Sequence, residues 1–124
     1  MRVLLVDDEA DLASALAERL QLREIAADWA ATAEEALEKA SAVAYDVAVL
    51  DIRMPRISGI ELRAKLYAIQ PELKFIFLTG YGSEADFREV TCQVGQECYL
   101  VKPVDIQQLI DRMYELVDTR REAP

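Results

Sequence analysis

Residues 46–55 read Asp46-Val47-Ala48-Val49-Leu50-Asp51-Ile52-Arg53-Met54-Pro55. Val47 to Leu50 are apolar without interruption and show none of the alternation of a half-exposed strand. The segment is therefore predicted to be buried on both faces, at the centre of a parallel sheet. The strand, Asp46–Leu50, stops at an acid, Asp51. After Met54-Pro55, Ser58 is placed to cap a helix from Gly59 to about Ile69, closed by Gln70-Pro71 because the residue before a proline disfavours helical ψ.

The same unit, a short apolar run followed by a segment of helical period, recurs on either side, five times in all. Upstream lie a first strand at about Arg2–Val6 and a helix whose predicted buried stripe is Leu12, Ala15, Leu16, Ala17 and Leu20. A weaker strand follows near Ala26–Ala30, and Thr32 with Glu35 makes a reciprocal capping pair for a helix to about Val43. Downstream come a strand at Lys74–Thr79, a Gly80–Gly82 turn, and a helix from about Glu84 to Val94 ended by Gly95. A fifth strand, Cys98–Val101, is broken by Lys102-Pro103. The last helix carries Ile106, Leu109, Ile110, Met113, Leu116 and Val117 on one face, and Asp118–Pro124 reads as polar. The expected fold is α/β: a flavodoxin-like, doubly wound (βα)5 sandwich with five parallel strands in order 2-1-3-4-5 and helices on both faces. One domain is expected over residues 1–119, with a polar tail or linker stub at 120–124.

Composition narrows the chemistry. The chain has 124 residues, 14 basic and 23 acidic side chains, a net charge of −9 and no histidine. A domain of this length buries roughly two-thirds of its unfolded surface, and 52% hydrophobic content supports a core. The acidic balance repels a phosphate backbone and no window concentrates Lys and Arg, so direct nucleic-acid binding is not expected and a basic partner is. Lack of histidine removes the imidazole base, the Ser–His and Cys–His pairs and most zinc sites. Catalysis would have to rest on carboxylates, lysine, hydroxyls or a hard metal ion. The longest apolar runs are four residues, far short of the roughly 20 that span a bilayer. The N-terminus lacks a signal-peptide core, so a cytoplasmic protein with no membrane partner is expected. Cys92 and Cys98 fit no metal-ligand or redox spacing and read as reduced structural thiols; Trp29 reads as half-buried packing.

In doubly wound sheets, ligands sit outside the carboxyl ends of the strands, where the strand order reverses. Strand one ends in Asp7-Asp8, with Glu9 behind; strand three ends in Asp51, strand four in Thr79 and strand five in Lys102-Pro103. Taken singly, these are a helix cap, a satisfied hydroxyl and a solvated lysine. Together they fall on one edge of the sheet. Three converging carboxylates repel one another and call for a cation, and oxygen ligands alone select Mg²⁺ or Mn²⁺. Such an ion beside an ammonium and a hydroxyl would receive a phosphoryl group, stabilised by positioning and electrostatics, with Asp51 as the in-line nucleophile.

The set Leu5-Val6-Asp7-Asp8-Glu9, Leu50-Asp51-Ile52-Arg53-Met54-Pro55 followed by Gly59, Leu78-Thr79-Gly80, and Tyr99-Leu100-Val101-Lys102-Pro103 resembles the receiver domain of bacterial two-component response regulators. The resemblance runs from the first strand to the last helix. It implies that Asp51 is the phosphoacceptor and that Asp7, Asp8, Asp51 and the backbone carbonyl of Arg53 hold Mg²⁺. It further implies that Lys102, joined to Pro103 by a cis bond, contacts the phosphoryl group, and that Thr79 and Tyr99 form the conformational switch. Arg53 and Tyr81 occupy the places that tune phosphoryl lifetime in this family. Both are large here, and slow self-dephosphorylation is expected. Departures from the commonest pattern are Ser58 before Gly59, Gly80 after the hydroxyl residue, and Val94-Gly95-Gln96-Glu97-Cys98 in place of a Gly-Ala pair.

The implied function is phosphorelay signalling: a phosphoryl group from a sensor histidine kinase or phosphotransfer protein shifts a two-state equilibrium that controls an output domain or effector through the 83–117 face. That face could also pair two phosphorylated copies. Such a domain is not a conventional enzyme, although it catalyses its own phosphorylation and dephosphorylation. A phosphorylation-independent pseudo-receiver is the alternative, opposed by the intact Asp7, Asp8, Asp51, Thr79 and Lys102. A flavin-binding electron carrier of similar architecture is disfavoured because Asp7-Asp8-Glu9 would repel an FMN phosphate.

Overall fold

The structure, a computed structural model, describes residues 1–80 and 97–122. Its elements are β1 (Arg2–Val6), α1 (Ala10–Gln21), β2 (Ala26–Ala30), α2 (Ala33–Ala42), β3 (Val47–Asp51), α3 (Gly59–Ile69), β4 (Lys74–Thr79), β5 (Glu97–Val101) and α4 (Ile106–Glu122). The five strands are parallel and lie in the order β2-β1-β3-β4-β5. The fold is the doubly wound flavodoxin-like sheet expected from the sequence. The helix expected at Glu84–Val94 falls outside the described residues.

Strand side chains alternate between two cores on opposite faces of the sheet. Val3, Leu5, Val47, Val49, Ile76 and Leu78 meet α1 and α4 on one face. Leu4, Val6, Ala48, Leu50, Phe75 and Phe77 meet α2 and α3 on the other. Burial of β3 along its whole length explains why its sequence shows no period of two.

The stripe predicted for α1 needs correction. The buried residues are Ala13, Ala17 and Leu20, whereas Leu12 is 44% exposed. Alanines let the helix approach the sheet closely, and the larger Leu12 and Leu16 flank a groove of about 360 Å³ next to Lys102, Pro103 and Val104.

Helix starts follow the sequence signals with one adjustment. At α2 the Thr32 hydroxyl accepts from the Glu35 N–H at 3.1 Å, but the Glu35 carboxylate accepts from Ala31 rather than from Thr32 itself. At α3 the full reciprocal box forms between Ser58 and Glu61. The α3 helix ends at Ile69, before Gln70-Pro71, as expected. The last helix, in contrast, continues to Glu122, through most of the segment read as a polar tail. A helix is favoured there by a run without glycine or proline until Pro124.

Candidate functional site

The site forms where the strand order reverses. From β1 the chain moves outward to β2 and then returns across β1 to β3, so the carboxyl ends of β1 and β3 open onto one crevice. Asp7 follows β1 directly, and its N–H donates to the Ala30 carbonyl at 3.1 Å, which ties the turn to the end of β2. Asp51 is the last residue of β3, one residue further into the strand than its expected end, and is paired in register with Leu78. Asp7 and Asp51 are 4% and 5% exposed, and no other charged residues among those described are buried to this degree. Asp8 is exposed at the rim.

The two buried carboxylates share one ammonium. Lys102 Nζ donates to Asp7 Oδ2 at 2.9 Å and to Asp51 Oδ2 at 3.0 Å, with Glu9 Oε1 at 3.9 Å. The remaining oxygens are held by backbone: Asp7 Oδ1 accepts from the Glu9 N–H at 3.0 Å and Asp51 Oδ1 from the Arg53 N–H at 3.1 Å. Lys102 reaches the pair from the end of β5, where its bond to Pro103 is cis, as expected.

Burial raises the pKa of Asp51, and the neighbouring Asp7 charge adds to the rise; Lys102 and the Arg53 amide counteract it without cancelling it. Burial alone would lower Lys102, but its hydrogen bonds to Asp7 and Asp51 and their charges outweigh it, so Lys102 titrates above its usual value. It remains an ammonium at neutral pH.

One oxygen from each of Asp7, Asp8 and Asp51 lies within 4.8 Å of the others, the only such acidic group among the described residues. Three carboxylates against one ammonium leave two negative charges, and the donors are all hard oxygens. That set fits a divalent cation of the Mg²⁺ kind.

The other expected site residues are placed as follows. Arg53 is exposed, and its backbone N–H is the group that reaches the Asp51 carboxylate. Thr79 ends β4 in register with Val101, next to the β3–β4 pair of Asp51 and Leu78; its side chain lies outside the described part, as does Tyr81. Tyr99, on β5, stacks on Phe77 with ring centroids 5.1 Å apart, half-buried against the α2–α3 core.

The close approach at Gly59 was not anticipated from the sequence. A Cβ on this residue would overlap the Asp51 carbonyl oxygen and come within 3.0 Å of the Asp51 carbonyl carbon and of Ile52 Cα. The available signal was a glycine in the first turn of a helix, where it costs helix stability and therefore asks for a reason.

The family model for the response regulator receiver domain matches residues 3–114. Transcriptional regulatory protein CreB of Escherichia coli is 34% identical over 115 residues, covering 93% of this chain and 50% of CreB. Response regulator MprA of Mycobacterium avium is 32% identical over the whole chain and 53% of its own length. The chain thus spans about half the length of these curated relatives. Among solved structures, a CheY-like receiver domain protein from Methanospirillum hungatei superposes with a TM-score of 0.82 at 30% identity, covering 98% of this chain and 96% of that one. The response regulator TrrA of Thermotoga maritima, solved in complex with Mg(2+)-BeF, gives 0.75 at 34% identity, covering 93% and 97%. Among the described residues no helix is long and apolar enough to cross a membrane.

Proposed function

The chain belongs to the response regulator receiver domains, the phosphorelay signalling modules of two-component systems, and from that premise we propose that Asp51 accepts a phosphoryl group from a sensor histidine kinase or phosphotransfer protein. The observation that carries this reading is the placement of the Asp51 carboxylate: nearly buried at a strand end, yet held between the Lys102 ammonium and the Arg53 N–H, with Asp7 and Asp8 beside it.

An Asp51 oxygen forms the new bond to phosphorus while the bond to the donor's imidazole nitrogen breaks and its electron pair leaves with that nitrogen. Lys102 then transfers part of its hydrogen bonding from Asp51 to an incoming phosphoryl oxygen. Its raised pKa keeps it charged throughout. Asp7, Asp8, Asp51 and the Arg53 carbonyl would hold Mg²⁺, or Mn²⁺ in its place, which when bound neutralises charge on the phosphoryl oxygens. Thr79 closes on the phosphoryl group, and Tyr99 changes its packing with it; the difference in partners between the two arrangements shifts their populations. Arg53 and Tyr81 restrict the water that would hydrolyse the aspartyl phosphate, and the output partner, or a second phosphorylated copy, meets the 83–117 face. The protein acts in the cytoplasm. A pseudo-receiver that works without phosphorylation would have no use for the charge excess at Asp7, Asp8 and Asp51.

Acetyl phosphate with Mg²⁺ is expected to add about 80 Da, the mass of one phosphoryl group, and the gain is absent in Asp51→Asn. An unmodified wild-type chain would favour the pseudo-receiver. Arg53→Asn combined with Tyr81→Ala is expected to speed phosphate release, and an unchanged rate refutes the lifetime assignment.

A further inference from the structure

We propose that Gly59 is a positioning residue for the phosphoacceptor: α3 is seated on the backbone of Asp51 and Ile52, an approach that only a residue without a side chain permits and that the Gly59 N–H fastens to the Ile52 carbonyl. This deepens the reading of Asp51 as phosphoacceptor and rests on it.

The chain leaves β3 at Asp51, runs through a loop from Ile52 to Ser58, and returns to its starting point. The Gly59 N–H donates to the Ile52 carbonyl at 3.0 Å, and the Ile52 N–H donates to the Leu78 carbonyl of β4 at 3.0 Å. The loop is therefore closed at its base, and that base is fixed to the sheet. Within it, the Arg53 N–H holds Asp51 Oδ1 at 3.1 Å. The atoms a Gly59 Cβ would strike all belong to the backbone: the Asp51 carbonyl oxygen and carbon and Ile52 Cα. No flexible side chain can move aside. A methyl at residue 59 must separate α3 from the strand end, and the displaced atoms are those that set the direction of the Asp51 carboxylate and the position of the Arg53 peptide.

Ser58 supplies the internal comparison. It caps the same helix end through Glu61 but touches neither Asp51 nor Arg53 in this network. Removing the cap loosens α3, whereas filling residue 59 displaces the site.

The experiment compares Gly59→Ala with Ser58→Ala at a temperature where both are folded, reading three quantities: the backbone amide resonance of Arg53 in the metal-free protein, the dissociation constant for Mg²⁺ alone, and the rate of modification by acetyl phosphate. In Gly59→Ala the Arg53 amide shifts, Mg²⁺ binding weakens about tenfold or more, and the rate falls on the order of 100-fold, the scale of a displacement of about 1 Å in a reacting group. In Ser58→Ala the Arg53 resonance is unchanged, and the Mg²⁺ dissociation constant and the rate stay within about twofold of wild type. If Gly59→Ala does not fold, replacing Gly59 by glycolic acid deletes the N–H without adding a methyl, and the Arg53 shift and weaker Mg²⁺ binding are expected again. An unchanged Arg53 resonance and unchanged Mg²⁺ affinity in either folded variant would overturn the proposal, as would equal losses in Ser58→Ala. Failure of the phosphoacceptor reading is separately visible, as a wild-type chain that acetyl phosphate leaves unmodified at Asp51.

Discussion

The two ends of the sheet hold polar groups of similar kind in opposite conditions. Toward the amino ends of the strands, the groups satisfy one another. Gln70 accepts from the Tyr45 N–H and donates to the carbonyls of Ala40 and Val43, which joins the ends of α2 and α3 to the entry of β3. The Tyr45 hydroxyl donates to Asp28 Oδ2 at 2.7 Å, with Arg2 Nε 3.7 Å from the same oxygen. At the carboxyl ends, the buried carboxylates of Asp7 and Asp51 share a single ammonium, and Asp8 at the rim brings a third carboxylate oxygen within 4.8 Å of theirs. The first arrangement is closed and serves the fold. The second holds more negative than positive charge, which on the proposed reading a cation compensates when the site receives a phosphoryl group.

The largest effect that would break this contrast is expected at Lys102. Lys102→Met leaves Asp7 and Asp51 buried together without their cation and is expected to cost about 3 kcal/mol in urea unfolding without metal. Saturating Mg²⁺ should recover part of the loss by binding the folded state. Next comes the opposite end: Gln70→Ala removes three hydrogen bonds and should cost about 2 kcal/mol, with no change in Mg²⁺ affinity. A loss confined to the amino end, readable in the same unfolding curves, separates structural from functional polarity.

Tyr45→Phe deletes one hydrogen bond and should cost about 1 kcal/mol at neutral pH. It also has a pH signature. Burial raises the Tyr45 pKa, and the Asp28 hydrogen bond and charge raise it further. The contribution of Tyr45 is therefore complete below the ordinary tyrosine value of about 10 and is lost as pH rises from there through the higher folded value. Wild-type stability should decline over that range more steeply than that of Tyr45→Phe, and parallel curves would contradict the assignment.

The smallest effect is predicted for Asp51→Asn. Because the pKa of Asp51 is raised in the folded state, its ionisation subtracts from stability as pH rises from the ordinary carboxylate value through the raised folded value, and the loss is complete above it. The substitution should leave metal-free stability unchanged or slightly higher, by less than about 1 kcal/mol, while abolishing phosphorylation. A clear loss of stability would place Asp51 with the structural groups instead.

Much of this was legible in sequence because the relevant signals are local. The unbroken run Val47–Leu50 indicated the central strand, Ser58 and the pair Thr32 with Glu35 marked the helix starts, and the strand-terminal acids and Lys102 marked the site once the strand order was known. Three features depend on tertiary geometry and were not legible. Ala13 rather than Leu12 joins the predicted Ala17 and Leu20 on the sheet-facing side, because periodicity locates a stripe but size decides which residues permit close approach. The role of Gln70 as a bridge between two helix ends follows from partners 25 to 30 positions away in sequence. The seating of Gly59 on Asp51 is a contact between backbones, which side-chain patterns do not report.

The role of the charge excess at the strand ends, as a receptacle for a phosphoryl group on Asp51, is tested by peptide-level mass mapping after treatment with acetyl phosphate, with Mg²⁺ and with the metal chelated. One phosphoryl group on Asp51, dependent on Mg²⁺, is the predicted result. Modification at another residue, or none under conditions where Mg²⁺ binds, would contradict it.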